Sequence, residues 1–229
     1  QMMDIPALAE FAERHRLVLA TDNTWGSGYI YRPLQLGAHV SVVAGTKYVA
    51  GHSDVMLGAV VVNDADIFKR IARTQYAIGN SISADDVWLA LRGVRTMPVR
   101  MSQHARNALT VCEFLASRPE VSRIYNPAWP TDPGHALWKR DCTDTNGMLA
   151  VSLKFSPTQA RRFVEALTLF GIGFSWGGFE SLVQLVTPGE LARHAYWQEG
   201  DLAVVRLHIG LEDTRDVIAD ITQALEAAK

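Results

Sequence analysis

Val40-Ser41-Val42-Val43-Ala44-Gly45-Thr46-Lys47-Tyr48-Val49-Ala50-Gly51-His52-Ser53-Asp54 is the stretch that decides how this chain is read. A β-branched run, Val40 to Val43, stops at Gly45, and a lysine follows at once in a loop of small residues. β-Branched side chains suit a pleated, half-buried surface, and glycine marks where the chain leaves it. The pattern predicts a strand over 40–43 whose end delivers Lys47. Upstream, Leu17 to Thr21 is another apolar run, ending at Asp22, and Ile5 to Arg16 has helical spacing with Leu8 and Phe11 on its apolar face. Downstream, Gly58 to Val62 is apolar throughout, which predicts a parallel strand covered on both faces. Short strands joined by glycine- and proline-containing loops predict an α/β sheet, where ligands gather at the C-terminal strand ends. Asp22 and Lys47 both lie just past such ends.

From Asp64 to about Ala116 the spacing is helical, with Ile67, Ile71, Val87, Leu91, Ala108, Val111 and Leu115 as core positions. Arg92-Gly93-Val94-Arg95-Thr96 is a candidate bend within it. Asn126 to Gly134, with Pro127, Pro130 and Pro133, reads as a surface loop. A strand over Met148 to Phe155 follows, then a helix over Thr158 to Leu169 opened by Ser156 as cap and Pro157. Further strands are predicted at Leu182 to Val186 and Val204 to Ile209, and a closing helix from Thr214 to Ala228. The expected organisation is therefore an incomplete, mainly parallel α/β/α sheet domain over 1–95 and a smaller α+β domain over 96–229. A parallel sheet of three strands is undersized and would have exposed edges.

Composition removes several classes of function. The chain has 229 residues, 48% hydrophobic and 20% charged, so it can bury a substantial core. A net charge of −2 provides neither a basic footprint for nucleic acid nor a polybasic membrane patch. Apolar runs such as Met56 to Val62 are too short to span a bilayer, and the first residues lack the layout of a secretory signal. Cys112 and Cys142 show no CxxC spacing and the histidines no HExxH pattern, so no metal site is predicted. Gly26-Ser27-Gly28 lacks the third glycine of a dinucleotide fingerprint. A soluble, cytoplasmic protein is expected, with no nucleic-acid or membrane partner.

The chemistry-bearing residues each admit an ordinary reading and a functional one. Lys47 is either a solvated surface charge or an amine partly desolvated behind a buried strand, and desolvation makes an amine nucleophilic. Asp22 either caps a turn through Asn23 and Thr24 or serves a ligand. A lysine can hold an aldehyde cofactor as a Schiff base, and an aspartate can keep that cofactor's ring nitrogen protonated; pyridoxal phosphate (PLP) chemistry needs both. Arg206, in an apolar strand, is either an exposed edge residue or a planar fork for a carboxylate. Trp176 is either a core aromatic beside Gly177-Gly178 or part of a site, and His52 reads as a turn residue.

Taken together, several segments resemble the Cys/Met-metabolism family of PLP-dependent enzymes, of fold type I, and within it the bacterial β-lyases. They are Asp22-Asn23-Thr24-Trp25, Thr46 to Asp54, Leu91 to Thr96, Gly134 to Asp141, Ser175 to Leu182 and Arg206 to Asp213, in family order across nearly the whole chain. The resemblance implies that residues 1–95 are the C-terminal part of the PLP-binding large domain. It makes Lys47 the lysine of the internal aldimine and the base for the α-proton. Asp22 would pair with the pyridinium nitrogen, Thr46 would bond the phosphate, and Thr24 would lie near the ring. Arg206 would clamp the substrate carboxylate, and Ser175 would assist there or orient Lys47. Trp176 matches the Ser-Trp-Gly-Gly of β-lyases, where γ-enzymes more often carry leucine.

The activity so implied is PLP-dependent carbon–sulfur β-elimination of L-cystathionine to homocysteine, pyruvate and ammonia, in methionine biosynthesis. A related γ-lyase or γ-synthase, a broad cysteine-S-conjugate lyase and a non-catalytic fragment are the competing readings. A homo-oligomer of the tetramer type is also implied. Ala44 departs from the serine common at that position. The family's glycine-containing phosphate loop and ring-stacking tyrosine find no match here, so the resemblance is to the C-terminal portion of such an enzyme.

Overall fold

The computed structural model describes residues 2–186, 188–194, 197, 200 and 202–229. Asp4 caps the first helix by accepting from the Ala7 N–H, and Pro6 opens it, giving α1 (Ile5–Arg14). Its buried residues are Ile5 and Ala12. Leu8 and Phe11, expected on the buried face, are 39% and 47% exposed, with Phe11 packed instead on the His15 ring at 4.3 Å.

β1 (Ala20–Asp22) pairs in parallel with β2 (Val40–Ala44), with Asp22 opposite Val42. β3 (Gly58–Val62) lies against the other side of β2, but antiparallel, so the sheet is mixed. The expectation of a parallel β3 covered on both faces is therefore corrected. It is an edge strand among the described residues, and Val60 and Val61 are about half exposed at 49% and 46%. An all-apolar run does not encode strand direction, and only its length and β-branching were readable.

α2 (Ala65–Ala77) is capped by Asp64, and α3 (Ala84–Ala116) by Ser83 with Asp85 and Asp86 favourably placed in the first turn. α3 runs unbroken through 92–96, where a bend was a candidate. Glycine at 93 serves close approach, since a Cβ there would collide with the backbone carbonyls of Val49 and Ala50. Arg100, 6% exposed, braces this crossing: Nη2 donates to Gly93 O at 2.8 Å and Val49 O at 3.3 Å, and Nε donates to Thr96 Oγ1 at 3.0 Å. The buried stripe of α3 runs through Ala90, Gly93, Met101, His104, Ala108, Val111 and Leu115. Val87 and Leu91, expected in the core, lie on a different side of the helix and are 45% and 50% exposed.

The remaining elements are β4 (Val121–Tyr125), α4 (His135–Asp141), β5 (Met148–Leu153), α5 (Pro157–Ala166), β6 (Gly171–Ile172), β7 (Leu182–Val186), α6 (Pro188–Leu191), β8 (Ala203–His208) and α7 (Thr214–Ala227). They form a second sheet of order β4-β5-β8-β7-β6. A reciprocal Ser156–Gln159 capping box starts α5. Alternate strand residues Leu149, Val151, Leu153, Val205 and Leu207 pack with Val111, Leu115, Phe163, Val217 and Ile221 into the main core. Period-two alternation then puts Arg206 and His208 of β8 on the opposite face. α3 serves both parts, meeting the Lys47 loop at Gly93 and the main core from Ala108 onward.

Gly93→Ala is expected to lower stability by about 1–3 kcal/mol, because the helix and the Lys47 loop must separate to admit a methyl group. Urea denaturation checks this; an unchanged midpoint contradicts the close approach.

Candidate active site

Lys47 sits in a loop whose backbone is tied into tight turns. Lys47 N donates to Ala44 O at 3.1 Å, Ala50 N to Gly45 O at 2.8 Å and Gly51 N to Lys47 O at 2.8 Å. The next residue, Tyr48, is fully buried, and its hydroxyl accepts the Gly147 N–H at 3.0 Å. Its ring contacts Trp176 at 5.5 Å, His104 at 5.4 Å and His208 at 5.9 Å. A fixed Tyr48 leaves Lys47 little choice of direction. Nζ donates to Ser175 Oγ at 3.0 Å and lies 5.5 Å from the centre of the Trp176 ring.

Partial burial pushes the Lys47 amine below its ordinary value, and the Arg206 positive charge pushes it the same way. Both effects favour the neutral, nucleophilic amine. Arg206 Nη2 is held by the carbonyls of Gly173, Phe174 and Ser175 at 3.0, 2.8 and 3.2 Å. Its Nε is buried and without a hydrogen-bond partner among the described residues. An orphaned donor on a fixed guanidinium is what an incoming carboxylate would satisfy.

The Ser175–Ser181 segment is clamped along its length. Gly177 N donates to His208 Nε2 at 3.0 Å, and Ser53 Oγ donates to Glu180 Oε1 at 2.6 Å. Glu212 accepts from Ser181 N at 2.7 Å and from Ser181 Oγ at 2.9 Å. Gly177, at φ +85°, lies flat on the Lys47–Tyr48 backbone, where a Cβ would come within 3.0 Å. Sequence reading missed His208, Glu180 and Glu212. For His208 a signal existed, since two residues after Arg206 on a strand means the same face.

The other expected residues lie at the ends of β1 and β2. Asp22 is exposed, and its Oδ1 accepts the Thr24 N–H at 2.9 Å, which leaves Oδ2 available. Thr24 Oγ1 accepts the Ala44 N–H at 2.9 Å, tying the two strand ends together. Thr46 Oγ1 accepts from Leu57 N at 3.0 Å and donates to Leu57 O at 3.2 Å, so its proton is already engaged. A cavity of about 590 Å³ has Asp22, Trp25, Tyr31, Tyr125 and Arg206 among its walls, but not Lys47, Ser175 or Trp176. The hydrogen bonds around Lys47 mark the site, and the cavity is open space beside its Asp22 and Arg206 members. The structure thus joins Lys47, Ser175, Trp176 and Arg206 in one cluster, with Asp22 and Thr24 on the strand ends.

This residue set fits PLP at its reactive end: an amine biased toward its neutral form and a carboxylate with one uncommitted oxygen. Its phosphate end is met by less, because Ala44 has no side-chain donor and Thr46 is occupied. Among the described residues, no cluster of histidine, cysteine or carboxylate side chains could hold a metal ion, and no helix is long and apolar enough to cross a membrane.

The family model of Cys/Met metabolism PLP-dependent enzymes matches residues 1–226. Cystathionine β-lyase of Bordetella avium is 75% identical over 228 residues, covering 100% of this chain and 58% of that protein. Cystathionine γ-lyase of Rattus norvegicus is 38% identical over 236 residues, again 100% of this chain and 58% of the relative. The crystal structure of MetB from Corynebacterium glutamicum superposes with a TM-score of 0.89 at 37% identity, covering 99% of this chain and 59% of that one. The chain thus spans a little over half the length of the curated relatives it matches. The solved relatives support the α/β reading as a type I PLP-enzyme fold.

The buried histidines give the site a pH signature. Burial pushes His104 down to about 4 and His208 down to about 3, from an ordinary 6.5. The unfolded chain therefore takes up protons below pH 6.5 that the folded chain refuses, so their contribution to stability is full above 6.5 and is lost as the pH falls toward 4. Urea midpoints are expected to fall through that window, and a smaller fall is expected in His104→Asn. An identical pH slope in the variant contradicts the neutral, buried state of His104.

Proposed function

We propose, from the premise that this chain belongs to the Cys/Met metabolism PLP-dependent enzyme family, that it carries the reactive residues of a carbon–sulfur β-lyase acting on L-cystathionine. The products are homocysteine, pyruvate and ammonia. The observation that carries the reading is the Lys47 amine, kept below its ordinary protonation, 3.0 Å from Ser175 Oγ and beside Trp176 and Arg206.

Lys47 would hold PLP through its amine, Asp22 would face the ring nitrogen, and Thr24 and Thr46 would lie by the ring and phosphate. When bound, PLP supplies an electron sink for the pair left on the substrate α-carbon once its proton departs. The chain's own residues do the rest. Arg206, its Nη2 anchored on backbone carbonyls, offers its guanidinium to the substrate carboxylate and fixes the amino acid's orientation. Lys47, as the free neutral amine, takes the α-proton onto Nζ, and Ser175 keeps that nitrogen aimed. The β-thiolate then leaves as homocysteine. The Trp176 indole, packed on Tyr48, sets an apolar wall 5.5 Å from the amine.

A second reading is a related γ-lyase, γ-synthase or broad cysteine-S-conjugate lyase, favoured by the similarity to a mammalian γ-lyase. Trp176 and the greater identity to a β-lyase favour β-elimination. We also infer a division into a PLP-binding part over 1–95 and a smaller domain over 96–229, in a cytoplasmic homo-oligomer of the tetramer type. The exposed apolar side chains of Val60, Val61, Phe68, Tyr76 and Trp88 support such an assembly, since it would cover them.

Incubation with PLP, reduction with borohydride and peptide mapping test the reading. A phosphopyridoxyl group is expected on Lys47, and Lys47→Ala should cut thiol release from cystathionine by at least about a thousandfold. Absence of label at saturating PLP, or near-normal turnover by the variant, contradicts the assignment.

A further inference from the structure

His208 takes no part in the chemistry above, yet it is completely buried two residues after Arg206, on the face of β8 turned away from the main core. Its Nε2 lies 3.0 Å from Gly177 N and 3.1 Å from Gly178 O. A backbone N–H can only donate, so the tautomer that makes the Gly177 bond has an unprotonated Nε2 and its proton on Nδ1, which is buried without a partner among the described residues; the other tautomer would donate from Nε2 to Gly178 O instead. An imidazolium would set two N–H groups against each other and lose the bond. The titratable and charged groups around the ring are His104, Arg206 and Lys47, all of which oppose a positive charge there, and Tyr48 stacks edge-on at 5.9 Å.

What His208 holds is the piece of chain that covers Lys47. Gly177 presses on the Lys47–Tyr48 backbone, Trp176 lies beside the amine, and Ser175 receives its hydrogen bond. Arg206 grips carbonyls 173–175 from one side, and His208 grips the 177 N–H from the other. We propose that His208 is a positioning residue: as a neutral imidazole accepting the Gly177 N–H, it fixes the Ser175–Trp176 segment over Lys47 and so keeps the reactive amine aimed. This rests on Lys47 being the reactive amine.

Glutamine can place its amide oxygen where Nε2 lies, whereas asparagine reaches only the Nδ1 position. In the holoenzyme, His208→Gln should keep kcat within about threefold of wild type, and His208→Asn should lower kcat by about tenfold to a hundredfold, with a much smaller change in KM. Equal loss in the two variants, or none in His208→Asn, overturns the proposal. A measurement on the unsubstituted protein guards against variants that fail to fold. ¹⁵N-histidine NMR should show two imidazoles with Nε2 unprotonated and Nδ1 protonated, His208 and His104 (whose Nδ1 faces Ile209 O at 2.9 Å), both unchanged between pH 8 and 5, a range that includes the ordinary 6.5. A His208 ring protonated at Nε2, or titrating within that range, overturns it. Failure of the underlying assignment is distinguishable, because it appears as absent borohydride label on Lys47 in the unsubstituted protein.

Discussion

Tyr48 is the constraint on which the rest of the site depends. It follows Lys47 directly, so wherever its ring is buried the lysine backbone is fixed one residue away. The ring is closed in by Trp176, His104 and His208, and its hydroxyl satisfies the Gly147 N–H beside the second sheet. A buried N–H left without that acceptor would cost about 1–3 kcal/mol, and the Tyr48–Trp176 contact adds roughly 0.5–1.5 kcal/mol beyond burial. One side chain thereby joins the loop after β2, the middle of α3, the start of β5 and the end of β8. Ser175 meets Lys47 across 128 residues of sequence because these elements converge on a single ring.

Two backbone features make the convergence possible. Gly93 lets α3 pass against the carbonyls of Val49 and Ala50, and Arg100 closes the gap with hydrogen bonds to Gly93 and Val49. Gly177 lets the Trp176 turn lie on Lys47 from the other side. The backbone of the Lys47 loop is therefore held between two close approaches, each of which excludes a methyl group. The same burial biases Lys47 toward its neutral form, so the packing and the chemistry have one cause.

Much of this was legible in the sequence. The runs at 17–21 and 40–43 pointed to β1 and β2, although β1 begins only at Ala20, and the Ser156-Pro157 start of α5 was readable from capping chemistry. The direction of β3 was not, because a uniformly apolar strand carries no sign of its partner's polarity. The buried side of α3 was misread at Val87 and Leu91, since its stripe is built partly from Gly93, Arg100 and His104, which hydrophobic periodicity does not count. β4 and β6 escaped notice because Val121-Ser122-Arg123-Ile124-Tyr125 is mixed and Gly171-Ile172 too short to show a period. At the site, spacing alone could not connect Lys47 with Ser175, and family resemblance supplied that link. His208 carried only the period-two signal from Arg206, because a lone histidine in an apolar strand reads as core until its backbone donor is seen.

The central claim is that convergence on Tyr48 places the Lys47 amine under cover, next to Arg206 and Ser175, and so lowers its affinity for a proton. Competitive acetylation of Lys47 against pH, followed by peptide mass spectrometry on the cofactor-free protein, measures that affinity directly. The account predicts a titration midpoint clearly below the ordinary lysine value of 10.5. A midpoint at or above 10.5 would contradict it.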